Sequence, residues 1–351
     1  MTKPNLPLVV DLDGTLTPTD TLAEAVIQLI RQSPANLALL VFQLFRGRAA
    51  FKQYVASRSS FSARTLPIRE PLLTYLRAEK TKGRQLVLAT ASHESVAKQV
   101  ASHVGIFDHA IGTQGKTNLK GENKLRAIRR TVGERFVYAG DSAADLPIWK
   151  AAEAAILVGA PRRVALTVRA STPIEWELAR RQPRRATWVK ALRIHQWLKN
   201  LLIFVPLVTA FSFMDVQSLL TSTIAFIAFS LAASAGYIVN DLWDLENDRH
   251  HPYKRARPLA NAEISISSAI SVSAITLLAA LFLASTISLQ FAFLIVFYLL
   301  LTSAYSWLLK SYFIIDVIAL SVLYTLRIIA GSIAIEVPTS TWLLAFSVFI
   351  F

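Results

Sequence analysis

The chain contains no cysteine among its 351 residues. This absence excludes disulfides, thiolate nucleophiles and zinc sites built on cysteine, and it suits the bacterial cytoplasm. The N-terminus, MTKPNLPLVVDLDGT, has too short an apolar run to predict a signal peptide. Charged residues are scarce at 17%, whereas 53% of residues are apolar and the mean hydropathy is +0.43. These values exclude a single soluble domain, and the length permits two or three domains.

The excess of apolar residues lies in the second half, because the first 190 residues have an ordinary composition. The formal net charge is +14, and the basic residues concentrate in two short stretches, 162–193 and 249–257. Basic clusters beside apolar spans are typical of proteins that contact anionic lipid or phosphate rather than nucleic acid. We therefore expect no nucleic-acid partner.

A short buried-strand pattern at residues 6–10 ends in the sequence Asp11-Leu-Asp13-Gly-Thr. Two carboxylates one residue apart at the carboxyl end of a strand point into the crevice where open α/β sheets bind ligands. This spacing indicates a nucleophile with an acid/base partner. A turn with two solvated acids is the alternative reading of these residues.

Later segments of the first half repeat this arrangement. Residues 21–76 have a helical period broken by proline and glycine, which predicts a small helical cap inserted after the first strand. The next strand ends in Thr90-Ala91-Ser92, where a hydroxyl and backbone N–H groups could hold a phosphoryl oxygen. Lys120 and Lys124 begin a helix, and a further strand ends in the sequence GDSAAD at residues 140–145.

These four segments, in this order, resemble the motifs of the haloacid dehalogenase (HAD) superfamily of phosphohydrolases. The resemblance implies a Rossmann-like α/β domain at residues 1–180 with a cap at about 18–80, acting with Mg²⁺ on a phosphorylated small molecule. It implies that Asp11 is the nucleophile, that Asp13 is the acid/base, and that Thr90 and Lys124 bind the phosphoryl group. Lys120 is the less favoured substitute for Lys124. The implied metal-site residues are Asp11, Asp13, Asp141 and Asp145.

A basic linker at residues 181–192 precedes the apolar half. Beyond it we predict about six membrane spans, most of which reach the ~20 residues needed to cross a bilayer. Their approximate positions are 201–213, 219–239, 266–286, 291–309, 313–334 and 341–351.

The distribution of lysine and arginine in the loops predicts the orientation of these spans. Basic loops alternate with loops around Asp215, Ser288 and Glu336 that lack Lys and Arg. Every basic loop therefore falls on the same side as the first domain, which the positive-inside rule makes cytoplasmic. We expect a multi-pass protein of the inner (plasma) membrane with its active sites in the cytoplasm.

One acidic stretch stands out between the apolar segments. Asn240, Asp241, Asp244 and Asp248 have helical offsets of 0, 1, 4 and 8, which place them on one helix face. Placing ionised carboxylates beside a membrane span costs free energy unless cations neutralise them. We therefore predict that these residues bind a divalent metal ion and that phosphate oxygens complete its coordination. A charged surface loop is the alternative.

The acidic stretch resembles the first metal and diphosphate motif of the UbiA superfamily of intramembrane prenyltransferases. The segments RIHQWLKN at 193–200, DRHHPYKRARPLA at 248–260 and YSWLLKSYFIIDV at 305–317 are closer to its decaprenyl-phosphate phosphoribosyltransferases than to its aromatic prenyltransferases. The resemblance implies an all-α transmembrane bundle at residues 193–351, with phosphoribosyl diphosphate as donor and a polyprenyl phosphate lipid as acceptor. Further phosphate or cavity residues implied in this way are Lys199, Arg249, His251, Lys254, Arg257, Lys310 and Asp316.

Two departures from the superfamily pattern bear on this reading. The second acidic motif, DxxxD, is missing because Leu320 stands four places after Asp316, which counts against an aromatic acceptor. Superfamily members also carry further spans, so we expect the chain to end inside its sixth span and to be truncated. The alternatives are an aromatic-acceptor prenyltransferase that uses a prenyl diphosphate, and a membrane-anchored phosphatase with an inactive transferase half.

Single residues within the spans add two expectations. Arg327 is costly in a span unless it faces the cavity or a carboxylate, and Asp316 is the candidate partner. Trp243 and Trp307 are typical of aromatic belts at the membrane interface.

Overall fold

The computed structural model describes residues 6–33, 35–59, 61–114, 118–180, 182–307 and 313–350. The chain divides into two compact units. The first comprises Met1–Gln182, Arg249–Arg255 and Asn261–Ile266, and the second comprises Pro183–Asp248, Ala256–Ala260 and Ser267–Phe351. The two units have different architectures.

A six-stranded parallel sheet forms the centre of the first unit, with strand order β3-β2-β1-β4-β5-β6. Its strands are β1 Leu8–Val10, β2 Leu86–His93, β3 His109–Thr113, β4 Val137–Gly140, β5 Ala154–Val158 and β6 Ile174–Leu178. Strand β1 is fully buried, and its side chains alternate between two apolar cores. Because β1 lies between β2 and β4, the carboxyl ends of these three strands share one edge of the sheet.

Helices surround this sheet and build the cap. They are α1 Thr21–Gln32, α2 Asn36–Phe45, α3 Arg48–Arg58, α4 Glu70–Thr81, α5 Glu94–Val104, α6 Glu122–Val132, α7 Leu146–Ala151 and α8 Arg162–Ser171. Helices α1 to α3 share a small core of Ala25, Leu29, Leu40 and Val55. The predicted cap extends to about residue 80, but α4 packs on the sheet through Leu72 and Leu76.

The second unit is helical. Its helices are α9 Arg185–Ala191, α10 Val205–Thr209, α11 Val216–Trp243, α12 Leu245–His250, α13 Ile266–Ile287, α14 Leu289–Trp307, α15 Phe313–Ala334 and α16 Thr341–Ile350. Among the described residues, four helices are long and apolar enough to cross a membrane, namely α11, α13, α14 and most of α15. Helix α16 is apolar but has 10 residues.

The predicted first span at 201–213 is not a continuous helix. A 3-10 helix, Ile194–Phe204, leads into the short α10, and Phe211 has a left-handed φ of 54°. We call residues 193–204 the approach segment. It packs closely on α15, because a Cβ at Gly331 would lie 2.0 Å from the carbonyl oxygen of Ile203. Only glycine allows this approach.

The core of the second unit combines large and small residues. Phe229 on α11 packs against Tyr298 on α14, with ring centroids 4.3 Å apart. Alanines on α11, including Ala225, Ala228 and Ala232, are fully buried in the same cluster. Small residues let neighbouring helices approach closely where a lipid environment offers no hydrophobic driving force between them.

Candidate active sites

Three carboxylates gather at the shared edge of the sheet. Asp11 follows β1, Asp141 follows β4, and Asp145 ends a 3-10 turn, Ala143–Asp145. One carboxylate oxygen from each lies within 4.8 Å of the other two. Carboxylate oxygens are the ligands that Mg²⁺ prefers. These three residues therefore fit a divalent cation, and all three are among the four residues of the predicted metal site.

Lys124 supplies the positive charge of this site. Its Nζ lies 3.0 Å from Asp11 Oδ2 and 3.5 Å from Asp145 Oδ1. It also donates to the Tyr138 hydroxyl at 3.0 Å, and that hydroxyl donates to Asp145 Oδ1 at 2.8 Å. Burial alone would lower the pKa of Lys124, but Asp11 and Asp145 outweigh burial and raise it. Lys120 is exposed, so Lys124 is the lysine that reaches Asp11.

Burial also changes the pKa values of the carboxylates. It raises the pKa of Asp11 to about 8, against the lowering effect of Lys124 and with a further rise from Asp145 and Asp13. Burial and the charge of Asp145 raise the pKa of Asp141 to about 7. Adjacent buried acids resist ionisation unless positive charge is close by. A divalent cation bound among them would favour the ionised forms.

The Asp13 carboxylate points to different partners. Its Oδ1 accepts from the Thr21 backbone N–H at 2.7 Å, and its Oδ2 accepts from Ser92 Oγ at 2.8 Å and Thr90 Oγ1 at 3.2 Å. These donors hold the carboxylate at the start of α1 and the end of β2. Among the described residues, the three-carboxylate group does not include the Asp13 side chain, although the sequence placed it among the metal ligands.

Lys52 lies near this site and was not predicted. Lys52, on cap helix α3, donates from Nζ to the Ala91 carbonyl at 2.6 Å and to Asn118 Oδ1 at 2.8 Å. Burial lowers the pKa of Lys52, and the charges of Asp13 and Asp20 act against that change. A lysine in a helical insertion carries no motif, so only the fold reveals its position.

A second cluster lies in the helical unit. The buried Asp241 accepts from Arg193 at 2.5 Å and from Arg257 at 3.1 Å. Arg257 also reaches Asp248 at 2.6 Å, so one guanidinium joins two predicted motif acids. Arg193 begins the RIHQWLKN segment, and the sequence pattern did not predict its role. Its guanidinium carbon lies 4.7 Å from the centroid of the Tyr237 ring, and its backbone φ is a left-handed 50°.

The remaining members of the acidic motif are arranged differently from the prediction. Asn240 donates to Ser306 Oγ at 3.0 Å. Asp244 is the C-cap of α11, so the motif spans a helix boundary rather than one uninterrupted helix face. In the described part of the chain, three carboxylates with metal-type spacing occur at Asp11, Asp141 and Asp145 and not at this motif.

Several predicted phosphate contacts have other partners. Arg249 belongs to the first unit, where it forms a two-point ion pair with Glu24 at 2.7 and 2.8 Å. The exposed His251 accepts from the backbone N–H groups of Tyr253 and Lys254, which caps a turn. Lys254 is exposed. Lys310 lies outside the described residues.

Lys199 is also exposed, and its Nζ lies 5.8 Å from the centroid of the Tyr324 ring.

Arg327 is buried without the predicted carboxylate partner. Its Nε donates to Asn200 Oδ1 at 2.9 Å, and its other nitrogens donate to the Tyr298 hydroxyl and the Leu323 carbonyl. Asp316 instead accepts from the Tyr305 hydroxyl at 2.7 Å. The predicted pairing of Arg327 with Asp316 is therefore wrong, because neutral acceptors and aromatic rings surround the guanidinium.

Trp243 and Trp307 stack on each other, with ring centroids 4.3 Å apart.

Comparison with known families identifies two domains in the chain. Residues 8–150 match the haloacid dehalogenase-like hydrolases, and residues 201–351 match the UbiA prenyltransferase family. These two matches, with the four apolar helices, indicate a multi-pass membrane enzyme.

The sequence relatives cover the chain to different extents. The uncharacterized protein y4nM of Sinorhizobium fredii is 40% identical over 99% of this chain and 67% of its own length. Decaprenyl-phosphate phosphoribosyltransferase of Mycobacterium tuberculosis is 36% identical over 46% of this chain and 55% of its own length. The chain therefore spans about half the length of this transferase.

A solved structure of a UbiA homolog from Archaeoglobus fulgidus bound to DMAPP and Mg²⁺ is also similar. It has 22% identity and a TM-score of 0.40, and the match covers 47% of this chain and 59% of that chain. By its identity with the y4nM protein the chain belongs to the same family as that protein, and by its two family matches it joins a haloacid dehalogenase-like hydrolase domain to a domain of the UbiA prenyltransferase family.

Proposed function

We propose that this protein carries out two consecutive reactions on a membrane lipid. The second unit transfers 5-phosphoribose from phosphoribosyl diphosphate to a polyprenyl phosphate. The first unit then removes the 5-phosphate from the lipid-linked product in a Mg²⁺-dependent hydrolysis. The relative named decaprenyl-phosphate phosphoribosyltransferase supports the first reaction, and the hydrolase match supports the second.

The observation that carries the transfer reaction is the cluster of Asp241, Asp248, Arg193 and Arg257. Carboxylates bind hard cations, and guanidinium groups bind phosphate oxygens in a two-point geometry. Asp241, Asp244 and Asp248 would hold Mg²⁺, which supplies positive charge to the diphosphate when bound. Arg193 and Arg257 would bind the phosphate oxygens that the cation leaves open.

The transfer exchanges one bond at C1 of the ribose. The bond from C1 to the diphosphate oxygen breaks, and diphosphate leaves with the electron pair. A phosphate oxygen of the polyprenyl phosphate forms the new bond to C1. The arginines stabilise the negative charge that accumulates on the departing diphosphate.

In the hydrolysis, an Asp11 oxygen attacks phosphorus and the ester oxygen leaves with a proton from Asp13. Asp13 then takes a proton from the water that cleaves the aspartyl phosphate. Lys124 offsets the charge repulsion between Asp11 and the anionic phosphate, as nucleophilic carboxylates require. Ser92 and the Thr21 N–H hold Asp13 in place for both proton transfers. Asp11, Asp141 and Asp145 would hold the Mg²⁺ that supplies positive charge to the phosphoryl group.

We place both reactions on the cytoplasmic side of the inner membrane. The supporting observation is that loops rich in lysine and arginine alternate along the sequence with loops that lack both residues. The positive-inside rule makes the side with the basic loops cytoplasmic. Phosphoribosyl diphosphate is water-soluble and the polyprenyl chain is not, so both substrates meet at this surface.

A reconstitution experiment tests the proposal. The protein in lipid nanodiscs is given polyprenyl phosphate and ribose-labelled phosphoribosyl diphosphate with Mg²⁺, and the lipid fraction is separated by chromatography. We expect a labelled lipid without the 5-phosphate from the wild type, and its 5-phosphorylated form from Asp11→Asn. A complete lack of lipid-linked label rejects the transfer reaction, and identical products from both proteins reject the hydrolysis.

Protection by ligands distinguishes our proposal from the prenyl-transfer alternative. Protection from proteolysis by phosphoribosyl diphosphate, and not by geranyl diphosphate, is expected for our proposal, because a ligand stabilises only the state that binds it. The reverse result favours prenyl transfer to an aromatic acceptor. Loss of all activity in Asp11→Asn combined with an unaffected Asp244→Ala variant favours an anchored phosphatase.

A further inference from the structure

Cap helix α2 is polar on its inner side and apolar on its outer side. Its two polar residues, Asn36 and Gln43, are half-buried, and Leu40 is buried in the cap core. Asn36 donates to the Leu29 carbonyl at 2.7 Å. Every exposed residue of the helix is apolar: Leu37, Ala38, Leu39, Val41, Phe42, Leu44 and Phe45. This distribution is the reverse of that in a helix on the surface of a soluble protein.

The apolar surface is large and continuous. At ~100° per residue, the exposed positions cover an arc of about 220° around the helix. The exposed fraction of the side chains rises from 45% at Leu39 to 59% at Phe42 and 87% at Phe45. Contiguous exposed apolar surface of this kind marks a contact with another protein or with a membrane.

The charges around α2 favour a membrane with anionic lipid. No aspartate or glutamate occurs between Glu24 and Glu70. The same interval contains seven basic residues, Arg31, Arg46, Arg48, Lys52, Arg58, Arg64 and Arg69. An apolar helix face in a basic, acid-free segment is the pattern of helices that lie in the interface of anionic bilayers. A bilayer is also always within reach, because the described part of the chain contains four helices long and apolar enough to span one.

We propose that α2 inserts its apolar arc into the headgroup region of an anionic bilayer and anchors the cap of the hydrolase unit there. The anchor goes beyond the proposed reactions and does not depend on the identity of their substrates. Helix α3 follows α2 directly and carries Lys52, whose Nζ contacts the Ala91 carbonyl beside the hydrolase site. The lipid contact is therefore one helix away from the catalytic residues, which suits hydrolysis of a phosphate held on a lipid.

Site-specific fluorescence tests the anchor directly. The chain has no cysteine, so a single introduced cysteine is the only labelling site. The full-length protein with Phe42→Cys carries an environment-sensitive nitrobenzoxadiazole label in vesicles of phosphatidylcholine and phosphatidylglycerol. The matched control is Thr131→Cys, an exposed position on α6.

We expect a blue-shifted emission at position 42 that shallow nitroxide-labelled lipids quench and aqueous iodide does not. The control label should respond to iodide alone. Iodide quenching of equal strength at both positions overturns the proposal, because α2 would then lie in water. A label at position 42 that neither quencher reaches also overturns it, because protein from the same or a second chain would then cover the helix.

Substitution of charged residues into the apolar arc of α2 provides the second measurement. In a Leu37→Cys protein, the additional substitutions Phe42→Glu and Phe45→Glu should abolish the blue shift and expose the label to iodide. An unchanged midpoint of thermal unfolding would show that the cap remains folded. A label that stays lipid-quenched despite both glutamates contradicts the anchor.

Discussion

Lys124 Nζ lies 3.0 Å from Asp11 Oδ2, and both side chains are almost completely buried. The ammonium is therefore the nearest positive charge to the proposed nucleophile in the described structure. A buried ion pair of this kind depends on both partners, because removing one leaves an uncompensated charge. Lys124 thus stabilises the folded site, and in the proposed hydrolysis it would offset the repulsion between two anions during attack.

The first prediction concerns this lysine. Lys124→Met should reduce phosphate release by about 100-fold or more, because loss of one preorganised electrostatic partner typically costs ~3 kcal/mol in the transition state. Steady-state hydrolysis of a phosphomonoester measures the effect. Lys120→Met is the matched control, since Lys120 is exposed and should tolerate the change. Equal losses in the two variants would contradict the assignment.

The second prediction concerns pH and Mg²⁺. The pKa values of Asp11 and Asp141 are raised to about 8 and about 7, mainly by burial. Between about pH 4 and pH 8 the metal-free folded state holds protons that the unfolded chain has released, so the free energy of unfolding falls as pH rises. Mg²⁺ competes with these protons, so its affinity should rise by about tenfold or more from pH 6 to pH 8.

Calorimetric titration measures this affinity. An Asp141→Asn variant identifies the heat that belongs to the hydrolase site. An affinity independent of pH in the wild type would rule out the proton competition.

The third prediction concerns the support of Asp13. Ser92→Ala removes the hydroxyl that donates to Asp13 Oδ2 at 2.8 Å. Hydrogen bonds to charged groups contribute about 1.5–3 kcal/mol, so kcat for phosphate release should fall by about 10-fold to 100-fold. Ser92→Thr keeps the hydroxyl and should restore most of the rate. A KM effect with unchanged kcat would show that Ser92 contacts substrate instead of orienting Asp13.

The fourth prediction concerns Arg257, which joins Asp241 and Asp248. Arg257→Lys should reduce formation of lipid-linked product by about tenfold or more, because a single ammonium cannot reproduce the planar two-point geometry of a guanidinium. Arg255→Lys, at an exposed neighbouring position, is the control. Transfer rates that are the same for both variants would argue against a role for Arg257 at the diphosphate.

The fifth prediction concerns the buried Arg327. Asn200→Ala removes the acceptor of its Nε and should lower the free energy of unfolding by about 1–3 kcal/mol. In the double variant with Arg327→Met, no unpaired donor remains, so the loss should be smaller than the sum of the single losses. Unfolding in mixed detergent micelles measures all four proteins. Strict additivity would mean that these side chains do not interact.

The sequence predicted which polar residues of the first unit lie together, for a physical reason. In a parallel sheet the carboxyl ends of β1 and β4 must share an edge, so the segments around Asp11 and Asp141 had to meet. The choice of Lys124 over Lys120 followed from the motif resemblance, and the structure brings Lys124 to Asp11. The direction of the Asp13 side chain depends on the N–H of Thr21, at the start of an insertion that the strand pattern does not constrain.

The partners of the basic residues and the form of the predicted first span were less predictable. Arg193 and Asp241 are 48 positions apart, and no periodicity relates them. Arg249 pairs with Glu24 across 225 positions, so a local reading of the basic run placed it at the diphosphate. Hydropathy identified the long helices, but it could not show that the approach segment is a 3-10 helix rather than part of a span.

The close approach of Ile203 to Gly331 fixes the position of the approach segment along α15. A methyl group at position 331 would push the Ile203 carbonyl away, and Asn200 would move with it. Asn200 bonds to Arg327, and the same segment begins with Arg193 on Asp241. The absence of a side chain at Gly331 thus sets the position of the segment that contacts both the buried Arg327 and Asp241 of the acidic motif.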